Sequence, residues 1–71
     1  MKKHSVMIAG HATSFSLEDA FWEALKACAQ RQNVSISSLV AQVDANRTEP
    51  LSSALRIYLL NNAQQAQKHH T

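Results

Sequence analysis

The stretch that decides the fold is Thr13-Ser14-Phe15-Ser16-Leu17-Glu18-Asp19, because the spacing of its large side chains changes within it. Up to Leu17, large residues alternate with small ones, which is typical of a strand with one buried face. From Ser16 onward the residues are those of a helix start, with a serine N-cap and acids in the first turn. We predict a strand over residues 12–16, followed directly by a helix. The inward residues would be Thr13, Phe15 and Leu17, and the outward residues Ala12, Ser14 and Ser16.

Three helical segments are predicted from apolar residues spaced three and four apart. Their expected bounds are 17–32, 36–45 and 51–62. Asn33 is expected to end the first helix as a left-handed C-cap. Ser35 is expected to cap the second, and Pro50 to stand early in the third. Residues 63–71 have no apolar side chain larger than Ala and are predicted to fray.

Size and composition predict one small, mainly α domain over residues 1–71. The chain is 45% hydrophobic and has one Gly, one Pro and one Cys, a composition that favours helices over turn-rich β structure. With a single cysteine, Cys28, an intrachain disulfide is impossible. A core of this size rarely stabilises a domain alone, so we expect oligomerisation.

The longest apolar runs, Val6–Ala9 and Ile57–Leu60, are far too short to span a membrane. The basic start is not followed by a stretch long enough for a signal peptide, so we expect a cytoplasmic protein without a membrane partner. The net charge of +2 is compatible with nucleic acid as a partner.

A single strand needs a partner for its backbone donors and acceptors. The simplest solution is a two-fold homodimer in which the strand pairs antiparallel with its own copy. Helices of both chains would then cover the inner face of the ribbon. The expected dimer core is Phe15, Leu17, Phe21, Leu25, Leu39 and Val40.

The run Ser14-Phe15-Ser16-Leu17-Glu18, the helix with Leu25 and Ala29, and the turn Asn33–Leu39 resemble the ribbon-helix-helix fold of the Arc, MetJ and CopG type. The longer stretches Ile8–Leu25 and Leu51–Arg56 resemble a short bacterial subfamily with an added C-terminal helix. The resemblance implies a ribbon-helix-helix homodimer, in which one N-terminal strand pairs between chains and three helices follow.

The same resemblance implies a sequence-specific DNA-binding transcriptional regulator, a repressor of its own or a neighbouring operon. Outward strand residues would read bases from a β-ribbon in the major groove of double-stranded DNA, and the start of the second helix would hold a phosphate. We also expect Lys2 and Lys3, with His4 and His11, at the sugar-phosphate backbone. The base-facing residues would be Ala12, Ser14 and Ser16, and the phosphate-binding residues Ser35, Ile36 and Ser37.

A different function class remains open. Small Ala12 stands where the family commonly has a long polar or basic residue, and serines discriminate poorly between bases. The alternative is a dimeric interaction module or antitoxin-like adaptor, with weak or no base readout, whose third helix binds a protein through Leu51–Leu60. We predict no enzyme, because no nucleophile–base pair or Gly-rich phosphate loop is present.

No cofactor and no metal site are expected. The four histidines are His4, His11, His69 and His70, and none has a Cys or carboxylate at helical ligand spacing. Cys28 lies on an apolar stripe and is expected to be buried. Trp22 is expected to pack against the partner chain.

Overall fold

Two strands, rather than one, precede the helices. The computed structural model describes residues 1–68. Its elements, in chain order, are β1 (Lys2–Ile8), β2 (His11–Leu17), α1 (Asp19–Gln32), α2 (Ile36–Asn46) and α3 (Leu51–Lys68). The two strands form an antiparallel hairpin whose register runs from Lys2 opposite Leu17 to Ile8 opposite His11. The predicted mainly α architecture, with strand structure first and three helices after it, is confirmed.

The prediction of a strand without a partner in its own chain was wrong. β2 contains the predicted strand, and β1 of the same chain pairs with it along its whole length. The connecting loop is Ala9-Gly10, with φ of 50° and 82°. Positive φ at both central residues is the signature of a type I′ turn, whose twist matches that of a hairpin. The ribbon is therefore complete within one chain.

The helix starts and ends follow local hydrogen bonding. α1 begins at Asp19 with Glu18 as N-cap, so the prediction of Ser16 as the cap was wrong, because strand pairing continues to Leu17. Asn33 has φ 61° and ψ 41°, which confirms the left-handed C-cap. The cap at Ser35 is also confirmed, since its Oγ accepts the Ser38 N–H at 3.0 Å.

α3 begins at Leu51, as predicted, and extends beyond the predicted end. Pro50 directly precedes it, and its carbonyl accepts the Ala54 N–H at 2.9 Å. Residues 63–68 are helical rather than frayed, consistent with the good helix propensity of Ala, Gln and Lys. The rest of the predicted tail, residues 69–71, lies outside the described residues. Within residues 1–68, no helix combines the length and apolarity that crossing a bilayer requires.

The core lies between the inner face of the hairpin and the three helices. Five of the six residues expected in a dimer core are at most 4% exposed within this one chain, and the sixth, Phe21, packs partly buried against them. Cys28 is buried, as predicted. The buried side chains of α3 are Leu51, Ala54, Leu55 and Leu59. Most of the stripe assigned above to a protein partner is thus used by the chain's own core.

Trp22 packs against the hairpin of its own chain, not against the predicted partner chain. Its ring is stacked on that of His4, with centroids 3.7 Å apart and planes 9° apart. Phe15 lies near both rings, with centroids 5.9 Å from His4 and 6.4 Å from Trp22. These three rings attach the hairpin to α1.

Candidate nucleic-acid interface

The outward face of the hairpin carries six side chains in three cross-strand pairs. All except the half-buried Ser16 are exposed. Alternation along each strand places every one of them opposite the side that covers the core. The pairs are Lys3 with Ser16, Ser5 with Ser14, and Met7 with Ala12.

β1 supplies half of this face, and the sequence analysis missed that half. Ser5 and Ser14 are hydrogen-bonded through their hydroxyls at 3.2 Å, and Met7 is 60% exposed. The alternation of Lys3, Ser5 and Met7 with the half-buried residues between them was the signal that could have identified the strand.

The hairpin has the width that a DNA groove accepts. Neighbouring strands lie about 4.8 Å apart, and the major groove of B-DNA, about 12 Å wide, admits a two-stranded β-ribbon. The outward side chains are mostly short, so that the backbone can approach base edges closely.

The second edge of β2 is covered at one end by α3. In an antiparallel pair, backbone groups point alternately toward and away from the partner strand. A two-residue loop makes Ile8 and His11 a hydrogen-bonded pair, so the N–H groups of Ala12, Ser14 and Ser16 point away from β1. The Ser16 N–H donates instead to Oγ of Ser52 at 3.3 Å.

The N-terminal basic residues are divided between the two faces. Lys3 lies on the outward face, whereas Lys2, opposite Leu17, lies on the other face at the strand end. Both are exposed. His4 was expected at the DNA backbone, but it lies beneath the sheet against Trp22. His11 is exposed beside the turn.

The start of α2 presents backbone donors. Ser35 Oγ occupies the Ser38 N–H, and within residues 1–68 the N–H groups of Ile36 and Ser37 have no hydrogen-bond acceptor. The first turn contains no acid. Such a helix end attracts anions through its free N–H groups and its dipole. α2 packs against β1, although no hydrogen bond among the described residues joins the start of α2 to the outward face.

An ion pair connects the end of the hairpin to α3. Arg56 Nε donates to Oε1 of Glu18 at 2.9 Å. This hydrogen bond holds the pKa of Glu18 below its ordinary value of 4.5. The carboxylate next to the hairpin is therefore neutralised by a neighbouring cation at neutral pH.

Two grooves flank α3. The one toward α1, of about 170 Å³, is lined by Ala20, Phe21, Ala24, Leu59, Leu60 and Ala63. The one toward α2, of about 290 Å³, is more polar and includes Asn46, Ile57 and Tyr58. Among residues 1–68, no three His, Cys, Asp or Glu side chains come together as metal ligands. His69 and His70 lie outside the described residues.

A family profile described as ribbon-helix-helix domain matches residues 1–63. The chain belongs to the ribbon-helix-helix family. The suspected resemblance and the fold class are thereby confirmed. Ribbon-helix-helix proteins typically bind DNA as transcription regulators, and do so as dimers; the family is not typically enzymatic. No curated protein matched this ribbon-helix-helix chain, and no solved structure matched it either.

Proposed function

We propose that this protein is a sequence-specific DNA-binding transcriptional repressor that acts as a homodimer in the cytoplasm and has no catalytic role. The observation that carries the proposal is the outward face of the hairpin. It is two strands wide, exposed, shallow and free of acids. These are the properties that a ribbon needs to enter the major groove between two rows of phosphates.

The phosphate contacts are assigned to the first turn of α2 and to the basic N-terminus. The N–H groups of Ile36 and Ser37 bind one phosphate, with Ser35 holding the helix start in place. Lys2 and the N-terminal region add positive charge beside the ribbon. These contacts set affinity and its salt dependence, while the ribbon sets sequence preference.

The dimer is proposed on grounds other than the missing strand partner. The family binds DNA as dimers, and the apolar groove between α1 and α3 exposes 53% of Leu60. A second copy that covers this groove would remove apolar surface from water. No residue that lines it belongs to the hairpin, so the outward faces stay available to DNA.

The proposal is tested by the binding of the purified protein to the duplex upstream of its own coding sequence. A scrambled duplex of equal composition is the reference, at two salt concentrations. We expect tighter binding to the native duplex at both, and weaker binding to both duplexes at the higher salt. Equal affinity for the two would contradict base readout, and no binding would favour the interaction module.

A matched pair of charge variants locates the surface. Ser14→Asp adds a negative charge to the outward face, and Asn61→Asp adds the same charge to an exposed position of α3. We expect at least about a tenfold loss of affinity for Ser14→Asp and little change for Asn61→Asp. A reporter driven by the upstream region should be repressed by the wild type and by Asn61→Asp only.

A further inference from the structure

We infer that β1 is a second base-reading strand, in which Lys3 recognises guanine and Met7, together with Ala12, contacts the methyl group of thymine. This inference rests on the proposed function and assigns base selectivity to residues of β1. It makes the hairpin of one chain a complete reading unit. The prediction that Lys3 contacts phosphate is replaced by a contact with a base edge.

Lys3 has the position and the chemistry for this contact. It lies opposite Ser16, on the same face as the residues assigned to base readout. It is the one charged residue among the six outward side chains. Its ammonium group carries three donors, which suit the O6 and N7 acceptors that guanine presents in the major groove.

Met7 gives the other end of the face an apolar character. It is 60% exposed and lies opposite Ala12. The methyl group of thymine is the apolar feature of the major groove, and apolar side chains contact it. Lys3 and Met7 are four residues apart on one strand, which corresponds to about 13 Å, or roughly four base pairs.

The edge of β2 supports a single-chain ribbon. A ribbon formed by two copies of β2 centred on Ser14 would need the Ser16 N–H, which Ser52 already accepts. Such pairing would also make a sheet of four strands, about 14 Å between its outer strand axes. That width exceeds the groove of about 12 Å, whereas β1 and β2 alone fit within it.

The test compares two adjacent lysines of equal charge. Wild type, Lys3→Gln and Lys2→Gln are each used to select duplexes from a randomised library. We expect a guanine and a thymine about four base pairs apart in the wild-type selection. Lys3→Gln should lose at least about fivefold of the preference for that guanine. Lys2→Gln should keep the preference and weaken binding to all duplexes alike.

Modified bases then test each contact separately. Replacing the selected guanine by 7-deazaguanine should weaken binding of wild type and Lys2→Gln, but not of Lys3→Gln. Replacing the selected thymine by uracil removes the methyl group and should weaken binding of the wild type, but not of Met7→Ala. Melting temperatures of all the variants establish that the fold is retained.

The outcomes separate this inference from the proposed function. If the wild type selects a sequence and both lysine variants select the same one, β1 contributes charge only, and the inference is overturned while the proposed function stands. If the wild type binds the library without selecting a sequence, base readout by either strand is overturned. If it retains no duplex, the proposed function fails.

Discussion

His4 lies flat on Trp22, and its Nε2 atom is buried without a hydrogen-bond partner in the described part of the chain. An unpaired buried polar atom destabilises the fold, so His4→Phe should keep the stack and raise the free energy of unfolding by about 1 kcal/mol. Urea unfolding measures this. His11→Phe, at an exposed position of the same hairpin, is the control and should change little. A clear loss of stability for His4→Phe would mean that Nε2 has a partner.

The hairpin loop offers a second test of stability. Ala9 has φ 50°, a conformation that disfavours residues with a Cβ other than Asn and Asp. Ala9→Asn gives the preferred Asn-Gly pair of a type I′ turn and should raise the free energy of unfolding by about 0.5–1 kcal/mol. Gly10→Ala should lower it by about 1 kcal/mol, although nothing lies within 4 Å of the added Cβ. Unchanged melting temperatures for both variants would contradict this loop geometry.

The ion pair of Glu18 and Arg56 should make stability depend on pH. Because the pKa of Glu18 is lowered in the folded state, the pair stabilises the protein above the ordinary value of 4.5 and loses this effect as the pH falls through the lowered pKa. The melting temperature of Glu18→Gln should therefore be below that of the wild type at neutral pH, and the difference should shrink in acid. Arg56→Gln should remove the same pH dependence. A difference that persists in strong acid would exclude the ion pair as its cause.

Two exposed residues of α3 test the proposed dimer surface. Leu60 borders the apolar groove toward α1, and Ile57 borders the groove toward α2; they are 53% and 48% exposed. Leu60→Glu should shift the protein from dimer to monomer in sedimentation equilibrium, because a charge in a closed apolar contact is costly. Ile57→Glu should leave the dimer intact. The opposite result would move the interface to the α2 side.

The phosphate contact at α2 can be tested without loss of the helix cap. An acid in the first turn of a helix is neutral or mildly stabilising, yet it repels a phosphate. Ser37→Glu should therefore melt at or above the wild-type temperature and lose at least about tenfold in DNA affinity. Asn61→Glu carries the same charge on α3 and should bind like the wild type. Undiminished binding by Ser37→Glu would exclude this helix start from the DNA surface.

Periodicity in the sequence predicted which residues are buried, but not which chain buries them. Phe15, Leu25 and Leu39 were placed in the core correctly, because their spacing defines an inward face. The identity of the neighbouring strand depends on a turn of two residues. Its first residue is Ala9, where Asn or Gly would have indicated a hairpin, so the partner strand was assigned to a second chain.

The same error divided the candidate site. Ser14 and Ser16 follow from alternation within β2, whereas Ser5 and Met7 become part of the face only when β1 is paired beside it. The position of His4 was also beyond the sequence, since a histidine near a basic terminus has no local signal for stacking on Trp22. The cap at Ser35 was predictable because it depends on residues three apart in the chain.

The hydroxyl of Ser52 also bears on how these molecules behave when crowded. An uncovered strand edge is a template on which other chains add strands and grow into fibrils. By occupying the Ser16 N–H, Ser52 interrupts that template at one end of β2 and leaves only a short open run near the turn. Many copies gathered along one stretch of chromosome are thereby protected against merging into a continuous aggregate.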